Sequence, residues 1–382
     1  MSTTARELNR ATLARQLLLG REPLGVEEAV RRVVALQAQQ PASPYIALWN
    51  RLSGFDPADL DAAVAGFRTV KATLMRITLH LVHAEDYRIF REAMEPTLRA
   101  SRLGDSRFRA SGLTADDAGV LIPGLLAYAD RPRTAAETAA WLGEQLGGPA
   151  DPAAQRMLRQ YAPLWHAPTG GPWSFGARPS YVAAGERPGP ADPDVAARGL
   201  QALVRRYLAG FGPASVADIA QFTLVRRDRA TAAVRALAGE LVELRGPGDT
   251  VLYDVPGAPR PPGDIPAPPR LMAMWDSVLL AYADRGRVIP PAYRKLVTRV
   301  NGDVLPTLLV DGHVAGVWRP VDGGVEATAF HPLAAPVWEG LAAEAESLVT
   351  FLADREPRAY QRYDHWWAKG IPGSETRLLC AG

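Results

Sequence analysis

Cysteine is almost missing from this 382-residue chain, and the lone thiol, Cys380, leaves no internal disulfide and no cysteine-based zinc site to build. Close to the last residue of the sequence, it reads as part of a frayed tail. Lysine is nearly as scarce, at Lys71, Lys295 and Lys369 only, so almost all of the 43 basic residues are arginines, planar forks suited to phosphate. No apolar run approaches the roughly 20 residues that span a bilayer, and residues 1–10 are polar without a signal-peptide core. The expectation is a cytoplasmic protein with no membrane partner. The six histidines are scattered. There is no HExxH, Walker A loop, GxGxxG after a strand, or nucleophile elbow. Metal, nucleotide-cofactor and serine-nucleophile chemistry are therefore not expected, and "GGPWSFG" (170–176) reads as a wing turn rather than a phosphate loop. A formal charge of +2 neither requires nor excludes nucleic acid.

What is present is helical periodicity interrupted by short strand pairs. Apolar spacing predicts helices over 8–20, 26–40, 45–52 and 59–65. The period then changes to two over 69–82, "TVKATLMRITLHLV", a β-branched hairpin. The same order recurs: helices over 114–126, 134–146 and 152–159 with a strand pair over 164–182, then helices over 195–211, 216–222 and 228–238 with strands over 241–253. Helices closed by a hairpin match a winged helix-turn-helix, so the expected domains are winged helix 1 (1–99), winged helix 2 (100–190), winged helix 3 (191–258) and a C-terminal α+β domain (259–382). Two Pro/Gly-rich stretches, 185–194 and 256–269, read as linkers. Asp311-Gly312, between apolar runs, is the strongest hairpin signal. A helix over 333–352 and a polar tail follow.

Basic clusters mark candidate phosphate contacts. Arg226, Arg227 and Arg229 precede or open the third helix of module three, where a recognition helix would meet DNA. Lys71 and Arg76 on the first wing, with Arg102, Arg107 and Arg109, extend the path. Such contacts give affinity without sequence information. The stretch "VVALQAQQP" (33–41) ends an apolar helix in glutamines. Gln37 and Gln39 would point about 200° apart in a continuous helix, so they reach one cavity only if the helix loosens, as Pro41 favours. The plain alternative is a capped polar helix end.

"LQAQQP" (36–41), "LMRITLHLVHAEDY" (74–87), "FGPASVADIAQF" (211–222), "WDSVLLAYADRGRVIP" (275–290) and "NGDVLPTLLVDGHVAGVW" (301–318) together resemble the AlkZ-like bacterial DNA glycosylases over essentially the whole chain. The resemblance implies an α+β, mainly α fold: three tandem winged helices plus a C-terminal β-rich domain around a concave DNA channel. The family's Gln-apolar-Gln signature falls on Gln37 and Gln39, where the YcaQ-like branch has Asp at the second position. A DNA-probing hairpin falls on Asp311, Gly312 and His313. The implied activity is monofunctional excision of bulky N7-alkylguanine adducts, in some members as interstrand crosslinks, protecting the producer of a genotoxic natural product.

The chemistry makes neutral amides intelligible. Alkylation at N7 or N3 puts positive charge on a purine, so it leaves as a neutral base and no strong general acid is needed. What remains is to place a water and steady the oxocarbenium-like sugar. Amides do this without repelling phosphates. The expected site is catalytic Gln37 and Gln39, supported by Arg76, Thr78 and His80, with Lys71, Arg226, Arg227, Arg229, Asp311, Gly312 and His313 on DNA. No cofactor or metal is expected, and the partner is double-stranded DNA containing alkylated purines, bound by a monomer. The alternative is a non-catalytic winged-helix regulator or lesion-binding protein.

Overall fold

A computed structural model describes residues 3–189 and 191–380. The first helix, Ala5–Arg15, starts at a reciprocal cap: the Thr4 hydroxyl accepts from the Glu7 N–H while the Glu7 carboxylate accepts from the Thr4 N–H. The second, Val26–Arg32, stops short of the expected 26–40. Two β-branched residues follow, and Val34 takes a left-handed conformation (φ 74°). The chain emerges extended. Leu36–Gln37 then pairs antiparallel with Leu79–His83, setting Leu36 against Leu81 and Gln37 against His80. The glutamine motif is thus a sheet edge, which corrects the helical expectation.

That edge begins a six-stranded sheet ordered Leu36–Gln37, Leu79–His83, Thr69–Thr73, Leu164–Ala167, Ser180–Ala183, Arg133–Thr134. The hairpins expected as two separate wings are joined in it, through the pairing of Lys71 with His166. The third hairpin, Val242–Arg245 with Val251–Asp254, stays two-stranded. A helix that periodicity missed, Ala84–Arg102, carries Pro96 inside it and buries Phe90, Met94 and Leu98. It crosses Pro193–Phe211 so closely that a Cβ on Gly199 would lie 2.8 Å from the Ala93 nitrogen and 2.9 Å from the Ile89 oxygen. Only glycine fits there. Pro190, in the stretch read as a linker over 185–194, lies outside the described residues.

The C-terminal part is a five-stranded antiparallel sheet ordered Glu375–Cys380, Gly324–Ala329, His313–Val321, Thr307–Val310, Arg270–Met272, with Ala335–Ala353 packed on it. Residues 375–380 are therefore an edge strand, not a frayed tail, because the edge of Gly324–Ala329 supplies six backbone partners. The 256–269 stretch is no free tether either. Arg6, Arg10 and Arg15 on the first helix donate to the carbonyls of Gly263, Ile265 and Pro259 across it. One connected apolar core runs from Leu13 to Leu379. A fully enclosed ion pair, Arg51 with Asp276 at 2.8 Å, fastens the N-terminal region to the C-terminal part. Beside it the Ser277 hydroxyl donates to the Ala35 carbonyl at 2.8 Å, pinning the backbone just before Gln37.

Candidate functional site

Antiparallel partners share a sheet face, so the register sorts the candidates into two groups. Gln37, His80 and Ala72 lie on one face; Leu36, Leu81, Lys71 and His166 lie on the other. On the first face, the Arg76 guanidinium donates from Nη2 to the Gln37 amide oxygen at 2.6 Å. Arginine has only donors, so Gln37 Oε1 must face it and Nε2 must turn away. The same Nη2 lies 3.1 Å from His80 Nε2, and His80 Nδ1 lies 3.1 Å from the Thr78 carbonyl oxygen. Nδ1–H therefore donates to Thr78, and Nε2 accepts from Arg76. Burial, followed by the Arg76 charge, holds His80 well below the usual imidazole range, so it is neutral. Burial, reinforced by Arg285, lowers Arg76 to about 10, which still leaves it charged at neutral pH.

The turn carrying Arg76 is strained. Arg76 and Ile77 both have positive φ, 51° and 59°, a conformation costing about 1–3 kcal/mol at a non-glycine residue. Several bonds hold it: Leu74 N–H to the Thr78 oxygen (3.0 Å), the Thr78 hydroxyl to the Met75 oxygen (3.2 Å) and Arg102 to the Ile77 oxygen (3.1 Å). Arg76 is further steadied by the Phe222 carbonyl at 3.2 Å and lies 5.4 Å from the Phe222 ring centroid. The three supporting residues expected from sequence, Arg76, Thr78 and His80, are thus one hydrogen-bonded unit on Gln37. Sequence reasoning missed Phe222 and Arg285, although both lie in the blocks that carry the family resemblance.

Gln39 belongs to different surroundings. It is exposed, its Oε1 accepts from the Leu79 N–H at 3.2 Å, and it lines a cavity of about 400 Å³ with Gln40, Lys71, Thr73 and His166. The expectation that both amides open into this cavity is met by Gln39 alone, because Gln37 is only 5% exposed and is held by Arg76. Lys71, expected on DNA, sits at the cavity with Nζ 4.4 Å from the Phe175 ring centroid, and burial lowers it to about 8.

The remaining DNA candidates are dispersed. Arg226 caps and Arg227 opens the Arg227–Ala236 helix, both exposed; Arg226 pairs with Asp228 at 2.8 Å, and Arg229 is half-buried. The Asp311–Gly312 turn forms as read, with φ of 46° and 80°. Its tip, however, is docked. Asp311 pairs with Arg6 and Arg10, and a Cβ on Gly312 would collide with Asn9, Leu13 and Arg10. His313 Nδ1 lies 3.1 Å from the Asp311 carbonyl, with burial lowering its pKa. The hairpin thus rests on the first helix. Among the described residues no group of His, Cys, Asp and Glu could hold a metal ion, and no helix is long and apolar enough to cross a membrane.

The chain is mixed α/β with antiparallel sheets, and its two motif glutamines part company, Gln37 against the Arg76 guanidinium and Gln39 at the cavity. Comparison with known proteins gives the class. Residues 30–351 match the family model described as DNA glycosylase AlkZ-like, and the chain belongs to that family; it is a DNA glycosylase. It is 27% identical over 354 residues, covering 86% of this chain and 91% of the relative, to the interstrand DNA cross-link repair glycosylase of Streptomyces sahachiroi. Its fold matches the solved structure of the Streptomyces sahachiroi DNA glycosylase AlkZ, with a TM-score of 0.77 at 20% identity over 91% of this chain and 96% of that one.

Proposed function

We propose that the chain hydrolyses the N-glycosidic bond of bulky N7-alkylguanines in duplex DNA, including adducts that crosslink the strands, and so gives resistance to a genotoxic natural product. The observation that carries this reading is the hydrogen-bonded unit of a neutral Gln37 and His80 with the charged Arg76, free of any carboxylate, next to an exposed Gln39. An alkylated purine already carries the positive charge that makes it leave. The protein then has to hold water and sugar, and Gln39, at the cavity edge, is the amide exposed to meet them. Its oxygen has a second lone pair for a water, and its Nε2 can donate to a sugar or phosphate oxygen. Gln37 fixes the charged Arg76, which draws a phosphate toward the site. Neither amide repels the DNA. The relative named as a cross-link repair glycosylase supports the crosslink part of the proposal.

We further propose that three winged-helix units (1–99, 100–190 and 191–258) and the C-terminal domain (259–382) flank a channel that receives DNA, and that the protein acts as a cytoplasmic monomer. Arg226, Arg227 and Arg229 contact phosphates along it, and the 311–313 hairpin reaches DNA only if it leaves the first helix. The test is a duplex joined through the N7 atoms of guanines on opposite strands. On a denaturing gel the protein releases two single strands and leaves an alkali-labile abasic site. Tight binding with no strand release from this duplex, and no base release from a monoadduct, would leave a lesion-binding protein instead.

A further inference from the structure

The cavity beside Gln39 holds an imbalance of charge. Lys71, Arg156, Arg159 and Arg362 all line it, and no aspartate or glutamate does. None of the four makes an ion pair among the described residues. Lys71 is 5% exposed with its Nζ over the Phe175 ring, and the buried Nε of Arg159 has no hydrogen-bond partner. By contrast, two fully enclosed cations elsewhere in the chain are each matched by a carboxylate, Arg15 by Asp254 and Arg51 by Asp276. Concentrated, uncompensated positive charge in an open cavity costs stability unless an anion completes it.

We propose that this cavity is a phosphate subsite that seats the backbone of the strand carrying the reacting nucleotide, with Lys71 at its base and the three arginines around it. The proposal rests on the DNA glycosylase reading and extends it by naming where the strand is gripped. A phosphate held there sets the sugar against Gln39, so Lys71, Arg156, Arg159 and Arg362 are positioning residues for the reaction. Arg156, Arg159 and Arg362 were not visible as a group in sequence. The junction of the first two hairpins at Lys71 and His166 and the Pro152–Tyr161 helix bring Arg156 and Arg159 to Lys71, and Arg362 comes from the turn Gln361–Tyr363 of the C-terminal part.

The chemistry supplies a readout that a structural role would not move. Without an anion, burial keeps the Lys71 amine at about 8, so at pH 8 it is about half protonated. An entering phosphate favours the charged form and draws in a proton. The other titratable and charged groups lining the cavity are His166, Tyr87, Tyr181 and the three arginines. Burial, then Lys71, puts His166 at about 3; burial raises Tyr87 to about 12; and Tyr181 packs edge-on against His166.

The experiment is isothermal titration calorimetry of the full chain with a short duplex carrying a tetrahydrofuran abasic-site analogue, at pH 8, in buffers of different ionisation heat. Expected is uptake of about half a proton per duplex, abolished by one methylphosphonate linkage near the analogue. Lys71→Arg should bind without uptake. Lys71→Met should also show none and should reduce the salt slope of log K by about 1. Absence of buffer-dependent uptake by the parent protein, or equal uptake by Lys71→Arg, overturns the proposal. Since this duplex has no base to release, the result is independent of whether excision occurs.

Discussion

Replacing Asp276 by asparagine removes one charge from an ion pair whose two side chains are both fully enclosed. Asp276 accepts from Arg51 Nη1 at 2.8 Å and Nη2 at 2.9 Å, and from the Val278 N–H at 3.1 Å. Asparagine keeps the shape but leaves the guanidinium uncompensated, at a cost of about 3–5 kcal/mol. With about 2.1 cal/mol/K of unfolding entropy per residue, the whole chain has about 0.8 kcal/mol/K, so a cooperative melt should fall by about 5 °C. The lesion also reaches the site. Ser277 holds the Ala35 carbonyl, so loosening this loop frees the strand that carries Gln37. Calorimetric melting and single-turnover excision, measured well below the transition, should both report losses. Arg51→Met with Asp276→Leu should recover most of the stability, because no buried charge is left alone. Asp276→Asn melting within 1 °C of the parent protein would refute this account.

Gln37→Glu should leave the melting temperature unchanged or higher, since a carboxylate takes the charged Arg76 at the same 2.6 Å position. Excision should nonetheless fall by about 10²-fold through loss of the Nε2 donor and repulsion of phosphate. Full excision by that variant would show that neutrality is irrelevant. Gly312→Ala places a methyl group against Asn9 and Leu13, and amide exchange should show the 311–313 turn released from the first helix; unchanged protection would contradict the docking. Acid sensitivity follows from the buried neutral histidines. His80 and His166 have folded pKa values below the unfolded value near 6.5, so below that pH the unfolded chain binds protons the folded chain refuses. Stability should fall by about 0.7 kcal/mol per pH unit for each of them at pH 6.5, steepening toward about 1.4 near pH 5. A flat urea midpoint over that window would oppose it, and His166→Phe should reduce the slope.

The family was legible because its marks are short and local, among them a glutamine pair before a proline and an Asp-Gly turn. The Asp311-Gly312 turn formed where it was read, since its backbone chemistry is settled within a few residues. What sequence could not disclose was long-range. Gln37 is a strand residue because Leu79–His83 offers an edge, with His80 opposite it far along the chain, and periodicity carries no trace of that partner. The opposite sheet faces of Gln37 and Lys71 follow from register alone. Likewise, residues 375–380 looked polar and free, but an edge strand needs only one apolar face or a backbone partner. The Ala84–Arg102 helix was hidden by Pro96, whose cost is outweighed by packing against Pro193–Phe211.

The most direct test of the central claim is single-turnover release of N7-alkylguanine from an end-labelled duplex, read as alkali-dependent strand scission, for the parent protein and for Gln37→Ala/Gln39→Ala. The account predicts scission by the parent and a loss of at least about 10²-fold in the double variant, with circular dichroism and DNA affinity retained. A folded double variant that excises at the parental rate would contradict it.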